Sequence, residues 1–303
     1  MTNPGWGGAY GDQPTPPQSR CVRHPDRPTG LACSRCGRPA CPQCLQAAAV
    51  GQHCVDCVRA GNVQVRRART VAGGSADSTY GLVTYVIMAL NVLVFAATAL
   101  QSRSVMDNTG ASSLYESWAL FPPAVALGDY ERLIGSGFLH YGLIHLLVNM
   151  FALYIIGRDV EAILGKTRYI AVYVVSLVGG SASVMLLEDP FTATVGASGA
   201  IFGLLGAQAI ILLKLRRSPT PALVVIGLNI VISITIPGIS LWGHMGGLVA
   251  GALATAGILF VPARVQNRRT RSYLGWAAVA AVAVVALAVI AFRVLDLRSR
   301  MGL

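Results

Sequence analysis

From residue 80 to the C-terminus the chain is a succession of long apolar runs separated by short polar segments. A membrane-spanning helix needs about 20 mainly apolar residues. Seven runs approach that length: 80–100, 138–157, 168–187, 198–213, 220–236, 241–261 and 273–293. The pattern predicts an all-α polytopic membrane protein. The fourth run holds about 16 residues before Lys214, or about 24 Å of helix. That falls short of the roughly 30 Å hydrocarbon core, so its first residue, Ser198, is expected below the surface of the membrane.

Polar residues between the runs add an orientation. Arg66, Arg67 and Arg69 precede the first run, and Arg158, Lys166 and Arg168 follow the second. Lys214, Arg216 and Arg217 follow the fourth, and Arg264, Arg268, Arg269 and Arg271 follow the sixth. The opposite loops carry Glu188 and Asp189 or, at 237–240, no charge. By the positive-inside rule the N-terminus is cytoplasmic. Arg293, Arg298 and Arg300 would then lie outside, against the rule, so the seventh run reads as a span or as an interfacial helix. The long segment 101–137, with Trp118, Phe121 and Tyr130, is expected to lie partly in the membrane interface, where aromatic rings concentrate.

The first 79 residues follow other patterns. Residues 1–19 are rich in Gly, Pro and Gln, contain no apolar signal core, and are expected to be disordered. Residues 20–59 hold all seven cysteines, and 60–79 form a linker. Composition sharpens the contrast. The chain is 54% hydrophobic and only 12% charged, against about 25% charged in soluble domains. Its net charge of +11 comes mostly from residues flanking apolar runs, so nucleic acid is not an expected partner. The lipid bilayer is. An Ala/Val/Arg-rich chain with two lysines suggests a GC-rich bacterium and its plasma membrane.

A strongly polar residue inside a span is a functional-site hypothesis by default. The second run places His145 and Asn149 four apart, on one helical face. The fourth opens Gly196-Ala197-Ser198-Gly199, and the sixth contains Gly243-His244-Met245-Gly246-Gly247. An imidazole can take a serine proton while nearby donors stabilise the oxyanion that forms on the attacked carbonyl. Ser198 and His244 supply that pair; His145, Asn149 and the free N–H of Ser198 supply donors. With no carboxylate in these spans, a dyad is expected rather than a triad. Gly199, Gly203 and Gly206, facing Gly247 and Gly251, are the small residues that let helices approach closely in lipid.

On these residues, residues 80–262 resemble the rhomboid family of intramembrane serine proteases. The resemblance implies a six-helix rhomboid bundle, here followed over 263–303 by a basic loop, a seventh C-terminal transmembrane helix and a tail. It implies cleavage of transmembrane protein substrates near the outer face, with no cofactor for catalysis. It assigns Ser198 and His244 as the dyad and His145 with Asn149 as the oxyanion hole. His140 matches a structural histidine in the second span, and Phe202 matches an aromatic that stacks on the catalytic histidine. Arg132 matches the arginine of a Trp-Arg loop motif, although Glu131 stands in place of the tryptophan. A catalytically inactive rhomboid-like protein that binds membrane partners is the alternative reading.

The cysteine segment contains four ligand pairs: Cys21 with His24, Cys33 with Cys36, Cys41 with Cys44, and Cys54 with Cys57. Tetrahedral thiolate and imidazole ligation suits zinc, and eight ligands make two structural sites. So short a segment would draw most of its folding energy from the metal. The spacing resembles B-box and RING-like fingers, in which first and third pairs share one ion and second and fourth the other. His53, beside Cys54, offers a substitute ligand. The finger is expected to contact a cytoplasmic protein partner.

Overall fold

The computed structural model describes residues 18–64, 70, 80–261 and 265–302. The expectations for the N-terminal tail up to residue 17, for most of the linker and for Arg264 lie outside them. The chain divides between Arg67 and Ala68 into two compact units.

The first unit is small and poor in apolar residues. Strand β1 (Arg20–Cys21) pairs antiparallel with β2 (His24–Pro28), and β3 (Leu45–Ala47) pairs with β4 (Gln52–Cys54). Helix α1 (Val55–Gln64) follows directly. Of the six buried core residues, five are cysteines and the sixth is Ala40. Only the partly buried Leu45 packs against that core as a larger aliphatic side chain among the described residues, so hydrophobic burial contributes little to it.

The second unit is helical. Helix α2 (Leu82–Ser102) is followed by three short helices, α3 (Ser113–Trp118), α4 (Pro122–Leu127) and α5 (Arg132–Gly135). A continuous helix then runs from Gly142 to Leu164 as α6 (Gly142–Ala152), a π-helical stretch (Leu153–Gly157) and α7 (Arg158–Leu164). It is followed by α8 (Lys166–Leu187), α9 (Ser198–Lys214), α10 (Thr220–Thr235), α11 (Leu241–Leu259) and α12 (Arg268–Met301). The second span, α8 and α11, together with α2 and α12, are long and apolar enough to cross a membrane, and α9 and α10 are shorter apolar helices. The protein is a multi-pass membrane protein with a small finger.

The expected boundaries shift at the second span. The run 138–157 is not helical at its start: Ser136–Phe138 forms a short 3-10 turn and the helix begins only at Gly142, whose φ of +77° suits glycine. His140 therefore precedes the span instead of lying in it. At the other end the helix continues to Leu164, so Arg158 sits inside it, and Gly165 alone separates it from α8. Glu161, 3% exposed, explains the extension. Its carboxylate accepts from Val83 N at 3.0 Å, Thr84 N at 2.9 Å and Thr84 Oγ1 at 2.8 Å, capping α2.

Helices α8, α9 and α11 form the centre. In α9 every residue from Ala200 to Ala207 is buried, the mark of a helix enclosed on all sides. Small residues permit this. A methyl added at Gly247 would overlap the Gly199 carbonyl, and one at Gly251 would overlap the Gly203 carbonyl. One at Gly180 would lie 2.9 Å from the Gly243 oxygen. Backbones touch across all three helices.

Helix α12 has 34 residues, about 51 Å of helix. Its N-terminus is capped by Asn267, which accepts from Arg269 N at 2.9 Å. Near its C-terminus, Arg293 donates to Met185 O at 3.0 Å and Arg298 to Ala126 O at 2.6 Å. Ile290, Val294 and Leu297 share a core cluster with Leu120, Val125 and Leu133. Two of the three arginines that seemed misplaced by charge thus satisfy helix-end carbonyls, Arg300 pairs with Asp296 at 2.9 Å, and the helix runs the full depth of the bundle.

Candidate active site

Three helices bring the central residues together. Ser198 is the first residue of α9, and the strained approach to it is carried by Gly196, at φ +132°. The loop before it is fixed on two sides. Leu120 and Thr194 exchange both backbone hydrogen bonds at 3.0 Å, and Gly196 N donates to Ser136 O at 2.9 Å. Ser181 of α8 donates to Leu133 O at 2.7 Å, holding α5 to the bundle. Because α9 starts here, the N–H groups of its first turn have no intrahelical acceptor.

His244 lies in the first turn of α11, which is capped by Ser240. Its Nε2 stands 2.8 Å from Ser198 Oγ, and its ring lies flat on Phe202, with centroids 4.1 Å apart and planes 10° apart. Histidine and serine meet across the contact that the glycines of α9 and α11 create. On its other side His244 Nδ1 lies 2.8 Å from Ser233 Oγ of α10. Ser233 did not emerge from the sequence. A serine in an apolar helix is ordinary, because its hydroxyl can bond back to the preceding turn, and Ser233 does bond to Asn229 O at 2.7 Å.

The remaining expected site residues are placed unequally. His145 faces the serine: a methyl on Gly196 would lie 3.0 Å from His145 Nε2 and 3.4 Å from Ser198 Oγ. Asn149 is buried one turn further along α6, and its amide donates to His145 O at 3.0 Å. One of its two N–H groups is therefore committed within its own helix. His140 is fully buried with its ring 5.1 Å from that of His145, and neither ring nitrogen meets a partner among the described residues. Arg132 binds Asp129 at 3.1 Å and the carbonyls of Glu116 and Ala119 at 2.6 and 2.9 Å, closing the end of α3. Trp118 packs on Gly135, where an added methyl would lie 2.9 Å from the indole. An indole thus lies beside this turn even though Glu131 replaces the expected tryptophan.

Comparison with known sequences covers the same stretch of the chain. A model of the rhomboid domain matches residues 127–262, the stretch that contains every residue just described on α6, α9 and α11. The chain carries a rhomboid domain. It is 32% identical over 202 residues to Rhomboid protease GluP of Bacillus subtilis, an alignment covering 65% of this chain and 39% of that protein. It is 37% identical over 131 residues to RHOMBOID-like protein 5 of Arabidopsis thaliana, covering 41% and 42%. Putative rhomboid protease YdcA of Bacillus subtilis is 29% identical over 179 residues, 57% of this chain and 86% of that protein. This rhomboid therefore spans less than half the length of GluP and of the plant relative.

Outside the rhomboid domain, two tetrads of metal-ligand type form: Cys21, His24, Cys41 and Cys44, and Cys33, Cys36, Cys54 and Cys57. In each, the four ligand atoms lie within 4.8 Å of one another, and His24 Nδ1 is 3.4 Å from Cys44 Sγ and 3.5 Å from Cys41 Sγ. His53 belongs to neither; it sits in β4 opposite Gln46. Backbone donors prepare the sulfurs for negative charge. Cys54 N donates to Cys33 Sγ at 3.1 Å, the main reason that thiol falls to about 6, and the Cys41 N–H does the same for Cys21. In contrast, burial pushes Cys44 up to about 11, and the hydrogen bond to Cys36 pushes Cys57 up to about 12. Three sulfurs in the first tetrad and four in the second cannot all ionise this close together without a cation, and the N–H···S bonds suit thiolates that hold one. The residues fit a tetrahedral metal site.

Proposed function

We propose that this rhomboid is an intramembrane serine endopeptidase that cleaves transmembrane segments of other proteins with a Ser198–His244 dyad. The observation that carries the reading is the 2.8 Å approach of His244 Nε2 to Ser198 Oγ inside a lipid-spanning bundle. A hydroxyl and an imidazole at this distance form a nucleophile and its general base.

In the reaction, Ser198 Oγ attacks the scissile carbonyl and its proton passes to His244 Nε2. The carbonyl oxygen becomes an oxyanion, received by the α9 first-turn N–H groups, by His145 and by the free N–H of Asn149. The C–N bond then breaks, and His244 gives its proton to the leaving amine. Water, activated by the same imidazole, releases the acyl group and restores Ser198. Phe202 holds the imidazole plane from below. Because Ser198 starts a helix of only 17 residues, water reaches it from the α9 N-terminal side.

The basic loops support a cytoplasmic N-terminus in a plasma membrane, with the site opening to the outer face. The two tetrads bind one structural zinc ion each, which supplies the first unit with the core that its side chains do not. That finger contacts a cytoplasmic protein. The test of the protease is covalent labelling by a fluorophosphonate together with cleavage of a model transmembrane substrate. Both should vanish in Ser198→Ala, and both should slow at least about 100-fold in His244→Ala. A protein that only binds membrane partners would not react in either assay.

A further inference from the structure

His244 makes two side-chain hydrogen bonds, and only one of them faces Ser198. The other joins Nδ1 to Ser233 Oγ at 2.8 Å, on a different helix from either member of the dyad. Ser233 is 6% exposed, and α10 buries only Ala222, Ile226 and Ser233. Of those three, Ser233 is the polar one, and it is aimed at the imidazole.

We propose that Ser233 is the positioning residue of His244, a neutral hydroxyl in the place that a carboxylate takes in a Ser-His-Asp triad. The proposal rests on the dyad reading above. Its logic is the direction of the hydrogens. A hydroxyl has one hydrogen to give and lone pairs to accept with, whereas a backbone carbonyl only accepts. Ser233 Oγ lies 2.7 Å from Asn229 O, so its hydrogen goes there. Its lone pair is then left to accept from Nδ1–H of His244. With the proton fixed on Nδ1, the lone pair on Nε2 points at Ser198 Oγ, which is the tautomer a general base requires.

The opposite assignment is self-defeating. If Ser233 donated to Nδ1, the hydrogen on Nε2 would point at Ser198 Oγ, and the imidazole could not take its proton. The Ser233–Asn229 bond prevents this by occupying the only hydroxyl hydrogen. The same contact persists after proton transfer, when both ring nitrogens carry hydrogens and Nδ1–H still needs an acceptor in an apolar interior. Stacking on Phe202 fixes the ring plane, and Ser233 fixes its rotation in that plane.

The experiment compares Ser233→Thr, Ser233→Val and Ser233→Ala with wild type and Ser198→Ala, all as purified full-length protein in detergent. Threonine and valine have the same shape and differ only in the hydroxyl. The readouts are the fluorophosphonate labelling rate, kcat and KM for a model transmembrane substrate, and the thermal unfolding midpoint. Ser233→Val and Ser233→Ala are expected to lower the labelling rate and kcat about 10- to 100-fold, with KM nearly unchanged and a modest drop in unfolding midpoint. Ser233→Thr should recover to within about threefold of wild type. If Ser198→Ala is inactive while Ser233→Val matches wild type, or if threonine is as slow as valine, the role of Ser233 is overturned and the dyad stands. If Ser198→Ala labels and cleaves like wild type, the dyad itself fails.

Discussion

The finger and the helical bundle hold polar side chains in fixed geometry by opposite means. In the finger, five cysteines are nearly the whole core, and eight ligand atoms gather in two groups with little apolar surface around them. In the bundle, Ser198 and His244 are placed by helices that pack backbone to backbone through Gly199, Gly203, Gly247 and Gly251. One region depends on what its functional groups bind, the other on what lies between its helices. Removing a ligand should therefore collapse the first and leave the second intact, and adding a methyl should do the reverse.

The largest expected effect is on the finger. Structural zinc supplies on the order of 10 kcal/mol to modules of this kind. A strong chelator should release about two zinc ions per chain and abolish protection of the finger from proteolysis, while fluorophosphonate labelling of Ser198 continues. Acid should act in the same direction. Cys21 and Cys33 are lowered from 9.0 to about 6. Thiolates with a depressed value stabilise the fold above the ordinary thiol range and lose that contribution as pH falls through about 6. Zinc followed by a colorimetric indicator should appear in solution below that interval, because a bound cation keeps its thiolates ionised to lower pH.

Next is the glycine contact. Gly247→Val would drive a side chain into the Gly199 carbonyl and push α11 away from α9. Overpacking of this sort costs about 3 kcal/mol or more. Labelling and cleavage should fall at least about 100-fold, with a lower unfolding midpoint and an unchanged zinc content. Retained activity would mean that the close helix contact does not place the dyad.

A smaller effect is expected at the seventh helix. Arg298→Ala removes the hydrogen bond to Ala126 O. The loss should be about 1 kcal/mol, read as a modest drop in unfolding midpoint. Activity per folded molecule should remain close to wild type. A large fall in kcat would instead tie α12 to the reaction.

Much of this arrangement is legible in the order of residues along the chain. Ser198 and His244 stand out because polar groups are costly in lipid, and the glycines stand out because they recur at helical spacing. The four ligand pairs stand out because two residues separate the members of each, and their grouping into two tetrads comes from the resemblance to B-box and RING-like fingers. His140 shows where pattern stops. An apolar run does not reveal that its first residues are extended, and only the positive φ of Gly142 marks the true helix start. Glu161 and Arg298 are legible as charges but not as caps, since their partners lie 77 and 172 positions away. Ser233 is invisible for a different reason. Its significance lies entirely in which side chain the neighbouring helix presents to it.

The central claim is that Ser198 is a nucleophile activated by His244. It is tested most directly by the fluorophosphonate labelling rate of wild type, Ser198→Ala and His244→Ala in one detergent preparation, with matched unfolding midpoints. Wild type should label at a single residue, identified as Ser198 by peptide mass mapping. Ser198→Ala should not label, and His244→Ala should be slower by at least about 100-fold. Labelling of Ser198→Ala at the wild-type rate, or of His244→Ala as fast as wild type, would contradict it.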